Sequence, residues 1–133
     1  MQAVLHPYTI SPIACCIGRI MSAIPVLLLL VAGVVGVSSS EEAIASSIVL
    51  GYPGHVTLII AAVELVCLVL YLIPRTSVLG AILLTGYLGG AVATHVRMLD
   101  MDLALKPFIV GILLWGWLYL RNPQLRALIP IRL

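Results

Sequence analysis

The sequence predicts an all-α integral membrane protein, a polytopic bundle of four transmembrane helices, and three observations carry that prediction. Apolar residues make up 62% of the 133 residues and charged residues only 9%, against roughly a quarter charged in an ordinary soluble domain. The apolar residues fall into four runs, each close to the roughly 20 residues that a helix needs to cross a bilayer. None of these runs alternates apolar and polar residues as a membrane strand would. One domain is therefore expected over residues 1–133.

The four predicted spans are separated by residues that end or begin helices. They cover about residues 13–37, 55–73, 78–96 and 103–121. Pro74 ends the second helix, and Thr76 or Ser77 can cap the third, so a tight hairpin joins these two spans. Pro107 suits the first turn of the fourth helix, where its missing N–H is no loss. Residues 38–50 have the pattern of a short amphipathic helix outside the membrane.

A cleaved signal peptide is the alternative interpretation of the first span. Ala43-Ile44-Ala45 has the small-x-small form of a cleavage site. However, the apolar run before it is longer than that of a signal peptide, and Arg19 and Pro25 interrupt it. Glu41 and Glu42 also precede the site directly. We therefore expect the first span to be retained as a membrane helix.

The distribution of basic residues predicts the orientation of the chain. With an even number of spans, both termini and the hairpin between the second and third spans lie on one side of the membrane. That side carries five arginines: Arg19, Arg75, Arg121, Arg126 and Arg132. The opposite side carries Arg97 and Lys106 together with the acidic residues of the loops. Since cytoplasmic loops are enriched in Lys and Arg, both termini are expected to be cytoplasmic.

Glu64 stands out because it lies near the middle of an otherwise apolar span. An ionised carboxyl at that depth costs at least about 2 kcal/mol unless it is paired or hydrated. Arg19 and Tyr87 lie within one or two helical turns of the same depth. We predict that Glu64 faces the bundle interior, and that Arg19 is its charge partner. We also expect Tyr87 or Thr85 to donate a hydrogen bond to it.

Two interpretations of this intramembrane polar site stay open. In the first, Glu64 and its partners hold a polar headgroup or relay a proton. In the second, they form a structural ion pair that fixes how the helices dock, which is a common role of buried pairs. The sequence is compatible with either charge state of Glu64.

The third span has small residues at every fourth position. Ala81, Thr85 and Gly89 lie on one such line, and Gly86 and Gly90 lie on a second. Small residues let helix backbones approach closely, which is a usual way for helices to associate in lipid. We predict that Ala81, Gly86, Gly89 and Gly90 serve helix packing inside the bundle. A homo-oligomer interface is the alternative.

A polar cluster is expected where the second and third spans meet the membrane surface opposite the termini. His55 and His95 lie at these ends, and Arg97 follows. A metal or a quinone headgroup is compatible with the residue types, but no His-x-x-x-His spacing supports a metal, and none is predicted. We expect the histidines to cap helices and form interfacial hydrogen bonds. Arg97 is expected to form a salt bridge with a nearby acid.

Several function classes find no support in the sequence. The three cysteines, Cys15, Cys16 and Cys67, include no Cys-x-x-Cys pair, which disfavours a thiol–disulfide enzyme. The chain has no nucleophile elbow, phosphate loop or dinucleotide fingerprint. No catalytic residue is therefore predicted, no cofactor is required, and the balance leans away from an enzyme. A net charge of only +2 and the lack of a basic run disfavour nucleic acid as a partner.

Motifs along nearly the whole chain carry a family resemblance. The first half contributes Gly18-Arg19 with Pro25 after it, Leu50-Gly51-Tyr52-Pro53, the Glu64 span and Ile73-Pro74-Arg75-Thr76. The most specific run is LGAILLTGYLGGAVATH at residues 79–95. The fourth span ends with WGWLYLR, and Leu125-Arg126-Ala127-Leu128 follows. In this order the motifs resemble the DoxX-like family of small bacterial four-helix membrane proteins.

The resemblance implies a multi-pass protein of the bacterial inner membrane. Family members are loosely linked, as small membrane subunits, to sulfur and quinone redox complexes. Many members carry a Lys at the outer end of the first span, where this chain has Gly33-Val34-Val35-Gly36-Val37. Any function that depends on that Lys is therefore lost or altered here.

The residues and the resemblance together predict an accessory or binding subunit in the lipid bilayer. Its polar site is expected to accept a quinone- or lipid-like molecule, and a homo-oligomer or a larger redox membrane complex is its expected context. A small proton-coupled transporter that uses Glu64 is one alternative, and it requires a water-filled path to Glu64 from at least one side. A purely structural or oligomer-forming membrane subunit is the other.

Overall fold

The computed structural model describes residues 12–128, apart from the side chains of residues 12–15, 17, 19, 123 and 126. The described chain forms six α-helices: α1 (Pro12–Val37), α2 (Glu41–Val49), α3 (Thr57–Leu72), α4 (Ser77–Arg97), α5 (Met101–Arg121) and α6 (Pro123–Leu128). A 3-10 turn, Gly54–Val56, leads into α3. Four segments are long and apolar enough to cross a membrane: Ile20–Val37, Gly54–Leu72, Ser77–Arg97 and Met101–Arg121. The predicted all-α bundle of four membrane helices is confirmed.

The four spanning helices form a ring in which each helix packs against two neighbours. Both α1 and α4 contact α3 on one side and α5 on the other. The order around the ring is therefore α1, α3, α4, α5. Tyr71 links α3 to α5 across the ring, because its hydroxyl donates a hydrogen bond of 3.0 Å to the carbonyl oxygen of Leu114.

The bundle has two distinct ends. The start of α1, the turn between α3 and α4, and the end of α5 lie at one end, which we call the terminal end. The short helix α2 and the turn between α4 and α5 lie at the opposite end, which we call the α2 end. Asp100 closes the second of these turns, since its Oδ1 accepts a hydrogen bond of 3.1 Å from the Leu103 N–H and so caps α5.

The packed core occupies the half of the bundle nearest the terminal end. Leu68, Leu84 and Leu114 are among its fully buried large side chains. Gly80 lies where α4 crosses α3, and a Cβ at this position would meet the backbone of Leu70 and Tyr71. The two helices are therefore in backbone contact here, as small residues allow in membrane bundles.

The outside of the ring is apolar. Large side chains are exposed on every spanning helix, among them Leu28, Val31, Val66, Ile82 and Phe108. In water such a surface would drive aggregation, whereas in hydrocarbon it is the surface that a spanning helix needs. The exposed apolar ring is consistent with a multi-pass membrane protein.

Helix α2 lies against the start of α3. Ser40 caps it by accepting a hydrogen bond of 3.3 Å from the Ala43 N–H, and Glu41 in the first turn complements the helix dipole. Ile44 packs on the 3-10 turn, where a Cβ at Gly54 would lie 2.8 Å from its Cγ2. The predicted short helix between the first two spans is thus present, and it covers one end of the α3–α4 pair.

Candidate functional site

A cavity of about 610 Å³ lies beside the α3–α4 pair in the half of the bundle nearest α2. Its walls come from α1, α2, α3 and α4 and from the segment between α2 and α3. Ala43, Ser46 and Ser47 line it at the α2 end, and Glu64 and Tyr87 line it at mid-span. The cavity thus reaches from outside the membrane-spanning segments to the buried carboxyl.

The deep level of the cavity holds a carboxyl–phenol pair. Glu64 is only 4% exposed, and the Tyr87 hydroxyl donates a hydrogen bond of 2.9 Å to its Oε2. The structure therefore brings together two of the residues predicted for the intramembrane site. The pairing with Arg19 concerns a side chain outside the described residues, so it stays a prediction.

A second polar level lies two helical turns closer to the α2 end. The Thr94 hydroxyl donates a hydrogen bond of 2.9 Å to the Gly90 carbonyl oxygen, and its oxygen lies 2.8 Å from the Tyr52 hydroxyl. Because a threonine hydroxyl has a single hydrogen, Tyr52 is the donor of that second bond. Thr57 completes this level from α3 and is 6% exposed. Its Oγ1 has no hydrogen-bond partner in the part of the chain that the structure describes.

Small residues separate the two polar levels and open the side of the cavity. Gly86 and Gly90 are exposed, and a Cβ at either position would meet nothing within 4 Å. Gly89 is equally open, on a neighbouring face of α4. The prediction that these three glycines pack against other helices inside the bundle is therefore wrong. Ala81, in contrast, is 1% exposed and lies in the core.

Thr85 does not belong to the Glu64 site. Its hydroxyl donates a hydrogen bond of 2.7 Å to the Ala81 carbonyl oxygen and accepts one of 2.7 Å from Trp115 Nε1. Thr85 and Gly89 line a separate groove of about 540 Å³ between α4 and α5, and that groove is almost entirely apolar. Thr85 is therefore not the donor to Glu64. It lies two residues before Tyr87 in the sequence and on the other side of α4.

The residues predicted for the polar cluster have different surroundings. His95 is half-buried and lines the cavity, whereas His55 is exposed on the 3-10 turn. Arg97 donates a hydrogen bond of 2.8 Å to the Leu50 carbonyl oxygen, where the C-terminus of α2 carries partial negative charge. The expected salt bridge to an acid is therefore replaced by a contact with the backbone. Among the side chains that the structure describes, no group of three His, Cys, Asp or Glu residues could hold a metal ion.

Thr57, Tyr52 and Thr94 were not predicted as site residues. For the two threonines the signal in the sequence is spacing: Thr57 precedes Glu64 by seven residues, and Thr94 follows Tyr87 by the same number. Seven residues are almost two helical turns, so each pair lies on one face of its helix. Only the packing of α3 against α4 shows that the two faces meet at one cavity.

The sequence model described as the DoxX-like family matches residues 20–117 of this chain. That stretch includes every residue that lines the cavity, while Arg19 lies just before it. No curated protein and no solved structure matches the chain.

Proposed function

This chain belongs to the DoxX-like family, as its motifs predicted, and we propose that it is a membrane subunit that binds an amphiphile. The bound molecule is quinone- or lipid-like, and it lies in the cavity beside α3 and α4 with its polar group against Glu64 and Tyr87. One observation carries this proposal: a buried carboxyl–phenol pair lines a cavity of about 610 Å³ that is otherwise mostly apolar.

The size and lining of the cavity support this proposal. Ligand sites in proteins have volumes of roughly 300–1,000 Å³ and combine apolar walls with a few convergent polar groups. Here Ala61 and Ala91 contribute apolar wall, and the Glu64–Tyr87 pair contributes the deep polar group. An apolar tail can therefore follow the walls while a headgroup forms hydrogen bonds at mid-span.

The open side of the cavity supports entry from the bilayer. Gly86 and Gly90 leave the α4 side uncovered, and Ile59 and Val63 on α3 are exposed beside it. A molecule dissolved in the membrane could then reach Glu64 without crossing the headgroup region. The site would therefore exchange ligand with the lipid phase.

The proposal includes a cellular context. Five arginines on the side of the termini support cytoplasmic termini in a bacterial inner membrane. The α2 end of the bundle then faces the opposite side. The open face of Gly89 is suited to a second copy or another subunit, in a homo-oligomer or a larger redox membrane complex.

A small proton-coupled carrier is the second candidate, because the cavity extends from α2 to Glu64. A carrier that uses Glu64 as its protonatable group requires a path to this residue from one side of the membrane, and the cavity is suited to form it. The other side is closed by the core around Leu68 and Leu84. A carrier would have to open that core in each cycle, whereas a binding subunit needs no such change.

Ligand retention tests the proposed function. The wild-type protein and Glu64→Gln are purified in mild detergent, and small molecules extracted from each are quantified by mass spectrometry per mole of protein. We expect the wild type to retain an amphiphile and Glu64→Gln to retain about tenfold less, since a buried polar group that loses its hydrogen-bond partner costs about 1–3 kcal/mol. Thr85→Val, in the groove between α4 and α5, is the control and should retain as much as the wild type.

Two other results would favour a different function for the protein. A Glu64→Gln protein that unfolds at lower temperature but retains as much amphiphile as the wild type would favour a structural role for the pair. Solute uptake into proteoliposomes that follows an imposed pH gradient and is abolished in Glu64→Gln would favour the carrier.

A further inference from the structure

Most hydroxyl groups that line the cavity already use their hydrogen inside the protein. At the α2 end, Ser46 and Ser47 each donate to the carbonyl oxygen four residues earlier, which is the usual way for a helix to satisfy a hydroxyl. At the next level, Thr94 donates to the Gly90 carbonyl oxygen, and Tyr52 donates to Thr94. Because a hydroxyl has a single hydrogen, these four groups have only lone pairs left for a ligand.

The deep level of the cavity is rich in acceptors for the same reason. The Tyr87 hydroxyl uses its hydrogen on Glu64 Oε2, and an ionised carboxylate has only acceptor positions. Thr57 adds nothing to this level, because its Oγ1 is enclosed by the protein and cannot meet a ligand. None of the described residues that line the cavity is Lys or Arg, and Glu64 is the one acid among them. The described lining therefore carries negative charge and no cation.

His95 is the remaining described side chain on the cavity wall that can donate a hydrogen bond. It lies at the α2 end, eight residues after Tyr87 on α4, which is more than two helical turns. An imidazole can donate or accept, so His95 can serve a polar group near α2 but not one at mid-span. A headgroup beside Glu64 thus meets acceptors from the described side chains and must supply the hydrogens itself.

We propose that the amphiphile in the cavity carries a primary amine headgroup, an inference that rests on the proposed binding function and names its ligand class. A protonated amine brings a positive charge and three N–H donors, like the ammonium group of Lys. One donor meets the Glu64 carboxylate, and a second meets the lone pair of the Tyr87 oxygen. Opposite charges in contact attract strongly where the surroundings have a low dielectric constant, so the amine compensates the charge of the buried acid.

The same ion pair forms from either charge state of Glu64. If the carboxyl group is protonated before binding, a neutral amine takes its proton: an N–H bond forms as the O–H bond breaks, and the product is again ammonium and carboxylate. No further reactant is needed. A neutral amine can also enter from the bilayer through the side that Gly86 and Gly90 keep open, which avoids the cost of moving a charge through hydrocarbon.

Headgroups that only accept hydrogen bonds fit this site poorly. A carboxylate or a phosphate would place a second negative charge beside Glu64, and like charges at short range disfavour each other. The carbonyl of an ester or of an oxidised quinone would meet lone pairs at both polar levels. An alcohol can donate one hydrogen but brings no charge, so we expect it to bind less tightly than the amine and more tightly than an acid.

Three probes with the same decyl tail test this assignment: decylamine, decanol and decanoate. Each is added to the full chain in one mild detergent, and the bound probe per protein is counted by native mass spectrometry over a range of probe concentrations. Wild-type protein should bind decylamine about tenfold more tightly than decanol, because hydrogen bonds to charged groups are stronger than neutral ones. Decanoate should bind most weakly of the three.

Variants in the same detergent assign this order to the carboxyl group, since partition of the probes into micelles is equal for all proteins. Glu64→Gln should lose the preference for decylamine, because a carboxamide is neutral and offers donors as well as an acceptor. Glu64→Asp keeps the carboxyl group and should preserve the order of the probes. Thr85→Val, in the groove between α4 and α5, is the control and should behave like the wild type.

The outcomes separate this inference from the function on which it rests. Equal binding of the three probes to the wild type, with decanol weakened in Glu64→Gln, would overturn the amine and leave the Glu64 site intact. Tightest binding of decanoate would also overturn it, and is the result expected if the Arg19 guanidinium lies beside Glu64. Failure of the wild type to bind any probe would overturn both proposals. Should Glu64→Gln not fold, the wild type and Glu64→Asp still decide, because any order without decylamine first contradicts the inference.

Discussion

The two halves of the α3–α4 pair use the same kind of residue in opposite ways. In the half nearest the termini, Gly80 brings the α4 backbone against the backbone of Leu70 and Tyr71. In the half nearest α2, Gly86 and Gly90 face open space. Glycine therefore allows close contact between helices in one half and forms part of a cavity wall in the other. The position of the neighbouring helix determines which of the two occurs.

The polar groups of the two halves show the same contrast. In the terminal half, the hydroxyls of Tyr71, Thr76 and Ser77 each donate to a backbone carbonyl oxygen. In the other half, the Tyr87 hydroxyl donates to the Glu64 carboxyl beside the cavity, and the Thr57 hydroxyl has no hydrogen-bond partner in the described chain. Polar groups that bond to the backbone fix a fold, whereas polar side chains that line a cavity can bind a ligand. We therefore assign stability to the terminal half and binding to the half nearest α2.

The largest expected effect on stability is at Gly80. Gly80→Ala should lower the free energy of unfolding by about 1–3 kcal/mol, since the added methyl group meets backbone atoms that cannot move aside easily. Denaturant or thermal unfolding in detergent micelles measures the change. Gly90→Ala is the matched control, and it should unfold like the wild type or slightly later because alanine is the better helix former. Equal losses of unfolding free energy in Gly80→Ala and Gly90→Ala would contradict the proposed difference between the two halves.

Two tyrosines give the next comparison. Tyr87→Phe removes the donor to the buried Glu64 carboxyl and should cost about 1–3 kcal/mol of unfolding free energy. It should also reduce the retained amphiphile severalfold. Tyr71→Phe removes the bond to the Leu114 carbonyl oxygen and should cost a similar or smaller amount, about 1 kcal/mol. Retention should be unchanged in Tyr71→Phe, so a parallel loss of ligand in both variants would speak against separate roles.

The smallest effect is expected in the groove between α4 and α5. Trp115→Phe removes the donor to Thr85, and it should cost about 0.5–1 kcal/mol because the site is partly exposed. Retention of the amphiphile in the cavity should not change. A large loss of ligand in this variant would indicate that the bound molecule occupies the groove between α4 and α5 instead.

Much of the fold could be predicted from the sequence because a bilayer imposes strict rules. Apolar runs of spanning length must be helical, and Pro74 marks the turn that the structure contains between α3 and α4. Glu64 could be recognised for the same reason, since a carboxyl among apolar residues is costly unless it has a partner.

The rest of the site depends on packing that the sequence does not encode locally. Gly86 and Gly90 have the spacing of a packing motif, yet a Cβ at either position would meet nothing within 4 Å. Thr85 and Tyr87 are equally suited as donors by chemistry, and the rotation of α4 alone directs Tyr87 toward Glu64 and Thr85 toward Trp115. Thr57 looks like an ordinary first residue of a helix until the cavity beside it is known.

The most direct test of the central claim fills the cavity without touching its polar groups. In Gly90→Leu the added side chain enters space that is open in the wild type. Amphiphile retained per mole of protein and the unfolding temperature are measured for the wild type and for this variant. We predict that Gly90→Leu retains little or no amphiphile and unfolds at a temperature no lower than the wild type. Retention equal to the wild type would contradict a binding site between α3 and α4.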